Sequence, residues 1–260
     1  MIQATVMGLG LAAPGLDDWA QALPCLRGEQ PWPGGALSVP SPTLLPANER
    51  RRTTPLIRLA MGVAEQACAQ AGIAPAELAC VFASAEGDTL IVERLCEALS
   101  LPEKPISPTQ FHNSVHNAPA GYWAIAAQAR QPSTSISAGP ASFAAGLLEA
   151  LSYLQAEQAP VLLIAYDTAL PLSLAPHGDV QQSFGCAMVL APQDEGLAQL
   201  ACLGLASGKP STLAQPEWEV LRRANPAAEA LPLLAALARG ESAQLALRYL
   251  DEAVLQVQVG

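Results

Sequence analysis

The chain has 260 residues, of which 51% are hydrophobic and 14% are charged, and its formal net charge is −10. A chain of this length can bury a substantial core, either as one large α/β domain or as two small ones. Its negative charge repels phosphate backbones and anionic lipid headgroups, so we expect no nucleic-acid partner and no membrane partner.

The cysteines and the N-terminus indicate a compartment. The six cysteines are scattered through the chain without a CxxC pair, which is typical of reduced core residues and not of a disulfide framework or a zinc site. The N-terminal segment lacks a basic region, and no uninterrupted apolar run is long enough to span a bilayer. We therefore expect a soluble, cytoplasmic protein that holds no metal.

The first part of the chain predicts a strand, two helices and an irregular segment. Asp17 or Asp18 is suited to begin the first helix. The second helix has three boundary signals, because Thr54 can cap it, Pro55 suits its first position and Gly72 can end it. The predicted elements are a strand over 2–12, a helix over 16–28, a Pro-rich segment without periodicity over 29–48, and a helix over 53–72.

Strands and helices alternate through the middle of the chain. Asn117 is a good helix cap, and Pro119 is tolerated only in a first helical turn. The predicted elements are a strand over 77–85, a helix over 89–100, a loop over 105–117, a helix from 118, a strand over 133–137, a helix over 141–158, and strands over 160–167 and 184–192. This alternation predicts an α/β fold with a five-stranded, mostly parallel sheet and helices on both of its faces.

The pattern weakens in the C-terminal part of the chain. It predicts a strand over 198–207, a polar loop up to Arg223, a helix over 226–240 and two β-rich runs over 243–250 and 253–259. This part is too short for a full second α/β domain. We therefore divide the chain into a main body over 1–192 and a short strand, helix and strand region over 193–260 that packs on it.

One glycine pattern is a candidate dinucleotide-binding loop. Gly8, Gly10 and Ala13 match the permissive form G-x-G-x-x-A directly after a strand. That fingerprint needs a helix that begins at the loop, but Pro14 and Gly15 interrupt it here. The sequence therefore disfavours a nicotinamide or flavin cofactor, and we expect no cofactor.

Two histidines have the spacing of zinc ligands. His112 and His116 are four residues apart, which on a helix places two imidazoles on one face. The predicted helix begins after them, however, and no carboxylate or cysteine is near them in sequence. We interpret them as loop or interface histidines that hydrogen-bond to the backbone.

A hydrolase triad is a further alternative. Ser137 or Ser142 could combine with His177 and Asp179. The chain has no G-x-S-x-G nucleophile elbow, and a serine near a helix start is commonplace. The turn "SISAGPASFAAG" nevertheless has the strand, tight turn and helix order in which α/β enzymes present a nucleophile.

Several segments, taken in order, resemble the N-terminal half of β-ketoacyl synthases, which have the thiolase fold. They are "ATVMGLGLAAPG", "ISPTQFHNSVHNAPAGYWAIAA", "STSISAGPASFAAGLLEAL", "VLLIAYD" and "SFGCAMVLAP". The similarity covers 1–192, and it implies a thiolase-like fold with a truncated second half. Two segments, "LPANERRRTTPLIRLA" and "FHNSVHNAPAGYW", look like the chain-length factors of aryl-polyene and related type II polyketide systems.

The resemblance implies a site without its nucleophile. Ketosynthases place a cysteine in the turn that "SISAGPASFAAG" matches, and Pro140 stands at that position. Two family histidines from the C-terminal half stabilise charge during decarboxylation, but this chain has no histidine after His177. The resemblance therefore implies no catalytic residues, and a pseudoenzyme that acts through a partner.

The resemblance also implies where a partner binds. In this family the strand that matches 133–137 pairs across a two-fold axis, which brings in Ser135 and Ser137. The segment that matches 109–123 reaches toward the partner's acyl pocket. We expect a heterodimer with a catalytic β-ketoacyl synthase, in fatty-acid or polyketide biosynthesis. The residues expected to form the interface or the end of the acyl tunnel are Phe111, His112, Val115 and His116.

A cluster of three consecutive arginines precedes the second predicted helix. Arg50, Arg51 and Arg52 are a candidate anion or carrier-protein contact, although a solvated arginine cluster is the ordinary interpretation. Acyl carrier proteins are acidic, so we expect one to dock mainly on the catalytic partner.

Two alternative functions stay open. One is an active thiolase-like acyltransferase or malonyl decarboxylase that uses other residues, and the other is a homodimeric acyl-binding scaffold.

Overall fold

The computed structural model describes residues 1–192 and 195–260. Its strands are β1 Ile2–Ala12, β2 Ala79–Ala83, β3 Ser133–Ile136, β4 Val161–Asp167, β5 Phe184–Ala191, β6 Ala198–Ser207, β7 Ala243–Arg248 and β8 Ala253–Val259. Its helices are α1 Trp19–Leu26, α2 Ala47–Arg50, α3 Pro55–Ala71, α4 Thr89–Ser100, α5 Pro108–Asn113, α6 Ala118–Ala126, α7 Ser142–Glu157, α8 Pro216–Ala224 and α9 Leu231–Arg239. Short 3-10 turns lie at Pro75–Glu77, Gly139–Ala141, Ala175–His177 and Pro226–Ala230.

Within these described residues the strands form one mixed sheet in the order β3-β2-β4-β5-β1-β6-β8-β7. The α/β fold class is confirmed, but the sheet has eight strands and not five. Strand β2 pairs in parallel with β3 and β4, whereas the other five neighbouring pairs are antiparallel. The expectation of a mostly parallel sheet is wrong because β5 follows β4 through a loop without a crossover helix, and such a loop returns the chain antiparallel.

Helices cover both faces of the sheet. Alternate side chains of the central strands pack into two separate hydrophobic cores, one on each face of the sheet. Val81 and Leu163 belong to the core that α7 covers, whereas Phe82 and Ile164 belong to the core that α3 and α6 cover. Strands buried on both faces are expected to be almost continuously apolar, as β2, β4 and β5 are.

The tail strands continue the sheet and curve toward the 3-10 turn Pro226–Ala230. The 3-10 turn Pro226–Ala230 contacts β4, β5 and also β7. In a flat sheet β7 would lie five strand spacings from β4, or about 24 Å, whereas a five-residue 3-10 turn is only about 10 Å long. The sheet must therefore curve, and a bulge in β6 between Cys202 and Gly204 marks one bend. Residues 193 and 194, at the predicted start of the tail, lie outside the described residues, and the division of the chain there stays a prediction.

Helix α3 packs directly on β1 at two glycines. A Cβ added to Gly8 would lie 2.2 Å from the carbonyl oxygen of Ala67, and one added to Gly10 would lie 2.0 Å from that of Val63. Both glycines lie inside β1 and not at a strand-to-helix turn. The G-x-G pattern is therefore explained by helix packing, and it lacks the geometry of a dinucleotide loop.

The Pro-rich segment 29–48 lies across the outer side of α3. Its Leu45 is buried in the core on that side of the sheet. The carboxylate of Glu65 accepts hydrogen bonds from the backbone N–H and the hydroxyl of Thr43, both at 2.8 Å, and from the N–H of Leu44 at 3.0 Å. The segment has no periodicity because side-chain contacts from α3 hold it, and not a regular backbone ladder.

Two helices lie where the sequence predicts loops. Helix α5 begins with Ser107 as its cap and Pro108 at its first position. Helix α8 begins with Pro216, carries Glu219 in its first turn and ends on basic side chains, including Arg223. These are ordinary helix signals, so both loop predictions are wrong for a reason that is visible in the sequence.

A buried carboxyl group ties β4 to the segment after β2. The carboxyl of Asp167 accepts hydrogen bonds from the hydroxyl of Ser84 at 2.7 Å, from the N–H of Ala85 at 3.0 Å and from the N–H of Glu86 at 3.2 Å. Burial nevertheless raises the pKa of Asp167 to about 7, against the opposing effect of these donors. The group is thus largely protonated in the folded chain at mildly acidic pH.

The packing of α3 on β1 predicts that Gly10→Ala destabilises the fold by about 1–3 kcal/mol, because the added methyl group meets backbone that cannot move aside. Gly121→Ala is the matched control, since no atom lies within 4 Å of a Cβ at this glycine and alanine suits a helix. Urea unfolding of both variants checks this. A Gly10→Ala variant as stable as the parent would contradict the packing argument.

The Asp167 carboxyl predicts a pH-dependent contribution to stability. Its folded pKa lies above its unfolded pKa, so the unfolded chain loses the proton first and the free energy of unfolding falls as pH rises from about 4 to about 7. Through this one group, the free energy of unfolding can fall by at most about 1.4 kcal/mol per pH unit. Asp167→Asn removes this term, so the variant should gain stability relative to the parent across that window. Denaturant unfolding at several pH values checks this, with Asp17→Asn as the exposed control, and a constant difference would refute it.

Candidate functional site

The turn around Pro140 joins the edge strand β3 to helix α7. Strand β3 ends at Ile136, Gly139 adopts a left-handed φ of +53°, and Pro140 occupies the second position of the 3-10 turn Gly139–Ala141 that leads into α7. The hydroxyl of Ser142 accepts a hydrogen bond from the N–H of Ala138 at 3.0 Å and donates one to the carbonyl of Gly139 at 2.7 Å. Ser142 is therefore engaged in holding the turn, and the missing N–H of Pro140 costs little there.

A small charged cavity of about 90 Å³ lies against Pro140. Most of its wall comes from the tail of the chain and not from the main body. Buried and exposed arginines share this wall with carboxylates and an amide. The lining residues are Pro140, Asp179, Arg222, Arg223, Asn225, Pro226, Glu229 and Arg248.

An ion-pair network fills the tail side of this cavity. The guanidinium of Arg222 donates to both carboxylate oxygens of Glu229, at 2.7 and 2.6 Å, and to both oxygens of Glu219, at 2.8 and 2.7 Å. Hydrogen bonds from Arg222 lower the pKa of Glu219 to about 2, whereas burial raises the pKa of Glu229. The sequence analysis missed this network, although the acidic first turn and basic last turn of α8 signal it.

The residues of the alternative triad serve other contacts. The hydroxyl of Ser137 donates to the carbonyl of Ala85 at 2.9 Å. His177 ends the 3-10 turn of the loop between β4 and β5, and Asp179 lies in the cavity wall beside Pro140. Among the described residues, no hydrogen bond joins His177 to Ser137 or Ser142, so the structure does not bring this set together.

A larger apolar groove gathers three of the predicted interface residues. It has a volume of about 780 Å³, and Phe111, His112 and Val115 line it. Phe111 is 66% exposed and Val115 is 53% exposed, which is unusual for residues of this size. The other lining residues are Glu49, Arg52, Pro108, Thr109, Asn117, Ala118, Gly121, Tyr122 and Ile125.

A polar chain of contacts supports one wall of this groove. The hydroxyl of Tyr122 donates to Asn113 Oδ1 at 3.1 Å, and the Asn113 amide donates to the carbonyl of Arg52 at 2.9 Å. The ring of His112 meets Tyr122 edge-on, with 6.5 Å between the ring centroids. The α5 backbone is thereby joined to α6 and to the segment before α3.

The remaining predicted site residues are dispersed. His116 Nε2 lies 3.0 Å from the carbonyl oxygen of Ser84 and does not line the groove. Arg50 donates to Ser41 and Pro42, and Arg51 is exposed. Arg52 pairs with a glutamate and reaches the groove. No group of three or more potential metal ligands occurs in the part of the chain that the structure describes.

The two edges of the sheet differ. The N–H of Cys80 donates to the carbonyl of Pro132, and that of Ser84 donates to the carbonyl of Ile136. By the alternation of a strand, the backbone groups of Ser133 and Ser135 then face away from β2, on the open side of β3. At the other edge, Ser211 exchanges hydrogen bonds with the backbone of Ala246 in β7, at 2.8 and 3.0 Å.

None of the described helices is long and apolar enough to cross a membrane.

Solved structures share the fold along almost the whole chain. One is a ketosynthase, ApeO, in complex with its chain length factor, ApeC, from Xenorhabdus doucetiae, at 24% identity and a TM-score of 0.77, covering 99% of this chain and 100% of that one. Another is the ishigamide ketosynthase/chain length factor, at 15% identity and a TM-score of 0.70, covering 100% and 99%.

A third similar structure is the complex AntDE:AntF, a type II polyketide acyl-carrier protein with its ketosynthase bound to the hexaketide. It shows 10% identity and a TM-score of 0.78, and it covers 100% of this chain and 99% of that one. These likenesses establish the thiolase-like ketosynthase fold. No curated protein sequence matches the chain. A family model described as β-ketoacyl synthase, N-terminal domain, matches residues 24–249, and since this is most of its length, the chain belongs to the β-ketoacyl synthase family.

Proposed function

We propose that this chain is a non-catalytic ketosynthase-like subunit, a chain-length factor that forms a heterodimer with an active β-ketoacyl synthase and shapes its acyl tunnel. The products would be polyketides or fatty-acid-type chains, with aryl polyenes as one candidate. The observation that carries the proposal is Pro140, which stands at the nucleophile position of a turn whose geometry is otherwise intact.

Acyl transfer through a covalent intermediate needs a side-chain nucleophile and groups that stabilise developing charge. Pro140 offers no nucleophile, and the hydroxyl of Ser142 is used by the backbone of the same turn. The sequence has no histidine after His177. The family's three catalytic groups are thus missing together, which supports a role through a partner more strongly than one substitution would.

The sheet edges support a closed assembly of two chains. Unpaired backbone groups on β3 are a template for a further strand. On β7 the backbone groups of Ala246 already bond to Ser211, so this edge is not free to continue the sheet. One open edge and one blocked edge favour a dimer and disfavour an open chain of subunits.

Charge supports a partner other than a second copy. Two copies would bring together two chains that each carry a net charge of −10, and like charges oppose association. A less acidic synthase would not meet this repulsion. For the same reason we propose that an acyl carrier protein docks mainly on that synthase, with Arg50, Arg51 and Arg52 as the one candidate contact on this chain.

The groove supports a role in limiting product length. Phe111 and Val115 lie exposed beside a cavity of the size that holds small molecules. Covered by a partner, such side chains would form the end of a dry acyl tunnel, where an extra methylene group is costly. His112 lies on the same wall, whereas His116 contributes only by holding the loop that precedes α6.

The edge-pairing proposal predicts that Ser135→Pro abolishes the complex with the synthase while the chain stays folded. Proline removes an N–H on the open side of β3 and leaves the ladder to β2 intact. Ser135→Ala keeps the N–H and is the matched control. Light scattering during size-exclusion chromatography of the co-expressed chains measures the complex, and a Ser135→Pro complex of normal mass would sink the idea.

The tunnel proposal predicts that Phe111→Ala shifts the products of the complex to longer chains, because the floor of the tunnel recedes. Leu172→Ala is the control, since Leu172 is also exposed but lies in the loop between β4 and β5, outside the groove. Mass spectrometry of the products measures chain length. Unchanged length with an intact Phe111→Ala complex would show that Phe111 only packs at the interface.

A further inference from the structure

The tail of the chain occupies the space on one side of the nucleophile turn. We define the plug as Pro216–Ala230, which comprises α8 and the 3-10 turn that follows it. The 3-10 turn of the plug contacts the turn Gly139–Ala141 and the helix α7. The wall that the plug presents to Pro140 is formed by Arg222, Asn225 and Glu229, all of them buried.

The space that remains is too small for a thioester. A cavity of about 90 Å³ is well below the volume of about 300–1,000 Å³ that is typical of pockets holding small molecules. A pantetheine thioester carries a long arm on one side of its carbonyl and an acyl chain on the other. Neither arm fits into this cavity unless the plug moves away.

The plug is held by contacts that are costly to break. Within the plug, the guanidinium of Arg222 in α8 donates to the carboxylate of Glu229 in the 3-10 turn, so these two parts cannot separate without leaving buried charges unpaired. The amide of Asn225 donates to the carbonyls of Asp167 at 3.1 Å and Gln182 at 2.7 Å. The ring of Trp218, in the first turn of α8, stacks on Trp32 with 5.0 Å between centroids.

From these contacts we infer that the plug is a built-in obstruction of the nucleophile turn. The chain then lacks acyl-transfer activity for two independent reasons: residue 140 offers no nucleophile, and the plug blocks the approach of a thioester to that residue. A cysteine at residue 140 would stand at the start of α7, a place that lowers a thiol pKa and raises its reactivity. It would nevertheless accept an acyl group poorly, because the thioester cannot reach it.

The test introduces Pro140→Cys and supplies octanoyl-pantetheine to the purified full-length chain. In the reaction the thiolate of residue 140 attacks the thioester carbonyl, the carbon–sulfur bond to pantetheine breaks, and the pantetheine thiolate leaves and takes a proton from water. Cys96 is the internal reference, because it is the exposed thiol among the described cysteines. Peptide mass spectrometry reports acylation at both positions.

With the plug in place, we expect residue 140 to acylate no faster than Cys96. Adding Arg222→Ala and Glu229→Ala together removes both buried charges and opens the wall, and acylation at residue 140 should then rise by tenfold or more while Cys96 is unchanged. Circular dichroism checks that each variant is folded. Rapid acylation with the plug intact would overturn the inference, and so would a folded double variant without a rise.

A second pair of substitutions covers the case in which the buried variant does not fold. Arg223→Ala and Arg248→Ala trim exposed side chains at the mouth of the same cavity and leave the Arg222 and Glu229 pair intact. They should raise acylation at residue 140 several-fold, and an unchanged rate would count against the plug. The assay uses the chain alone, so its failure would leave the subunit proposal, which rests on complex formation, untouched.

Discussion

The central strands are apolar on both faces, and the need to cover both of them governs how the rest of the chain is used. Phe82 and Ile164 need α3 and α6 on one side, and Val81 and Leu163 need α7 on the other. Helix α7 must itself be covered on its outer side. Within the described residues of the tail, the 3-10 turn of the plug packs on α7, and α9 packs on the tail strands β7 and β8.

This covering has a direct consequence for the site. The N-terminus of α7 carries the nucleophile turn, so whatever covers α7 also approaches residue 140. The plug covers part of α7, and a buried arginine between two glutamates holds the parts of the plug together. The same segment therefore covers the core and narrows the space beside residue 140.

Another surface of the molecule carries exposed apolar side chains. The connection from β2 to β3 contains α4 and α5, which contribute few buried side chains, and Phe111 and Val115 stay exposed on it. Among the described strands, the edge strand β3 pairs only with β2. Exposed apolar side chains and an open strand edge are both features of a surface that can bind a partner.

Local patterns determined much of the fold. The strands of both faces, the long helix α3 with Thr54 and Gly72 at its ends, and α7 follow from periodicity and end signals that act over a few residues. The position of Pro140 in a turn between a strand and a helix also follows from the sequence. Helices α5 and α8 also carry helix-start signals in the sequence. The polar composition of both segments nevertheless favoured a loop prediction.

Tertiary structure decided what no local pattern encodes. It separated His116 from His112, moved Arg50 away from the groove that Arg52 enters, and brought Arg222 and Glu229 to Pro140. It also set the direction of β5 and the bend of the tail strands. These outcomes depend on contacts between residues far apart in the chain, and a sequence states which residues need burial or a charge partner without stating which distant residue will supply it.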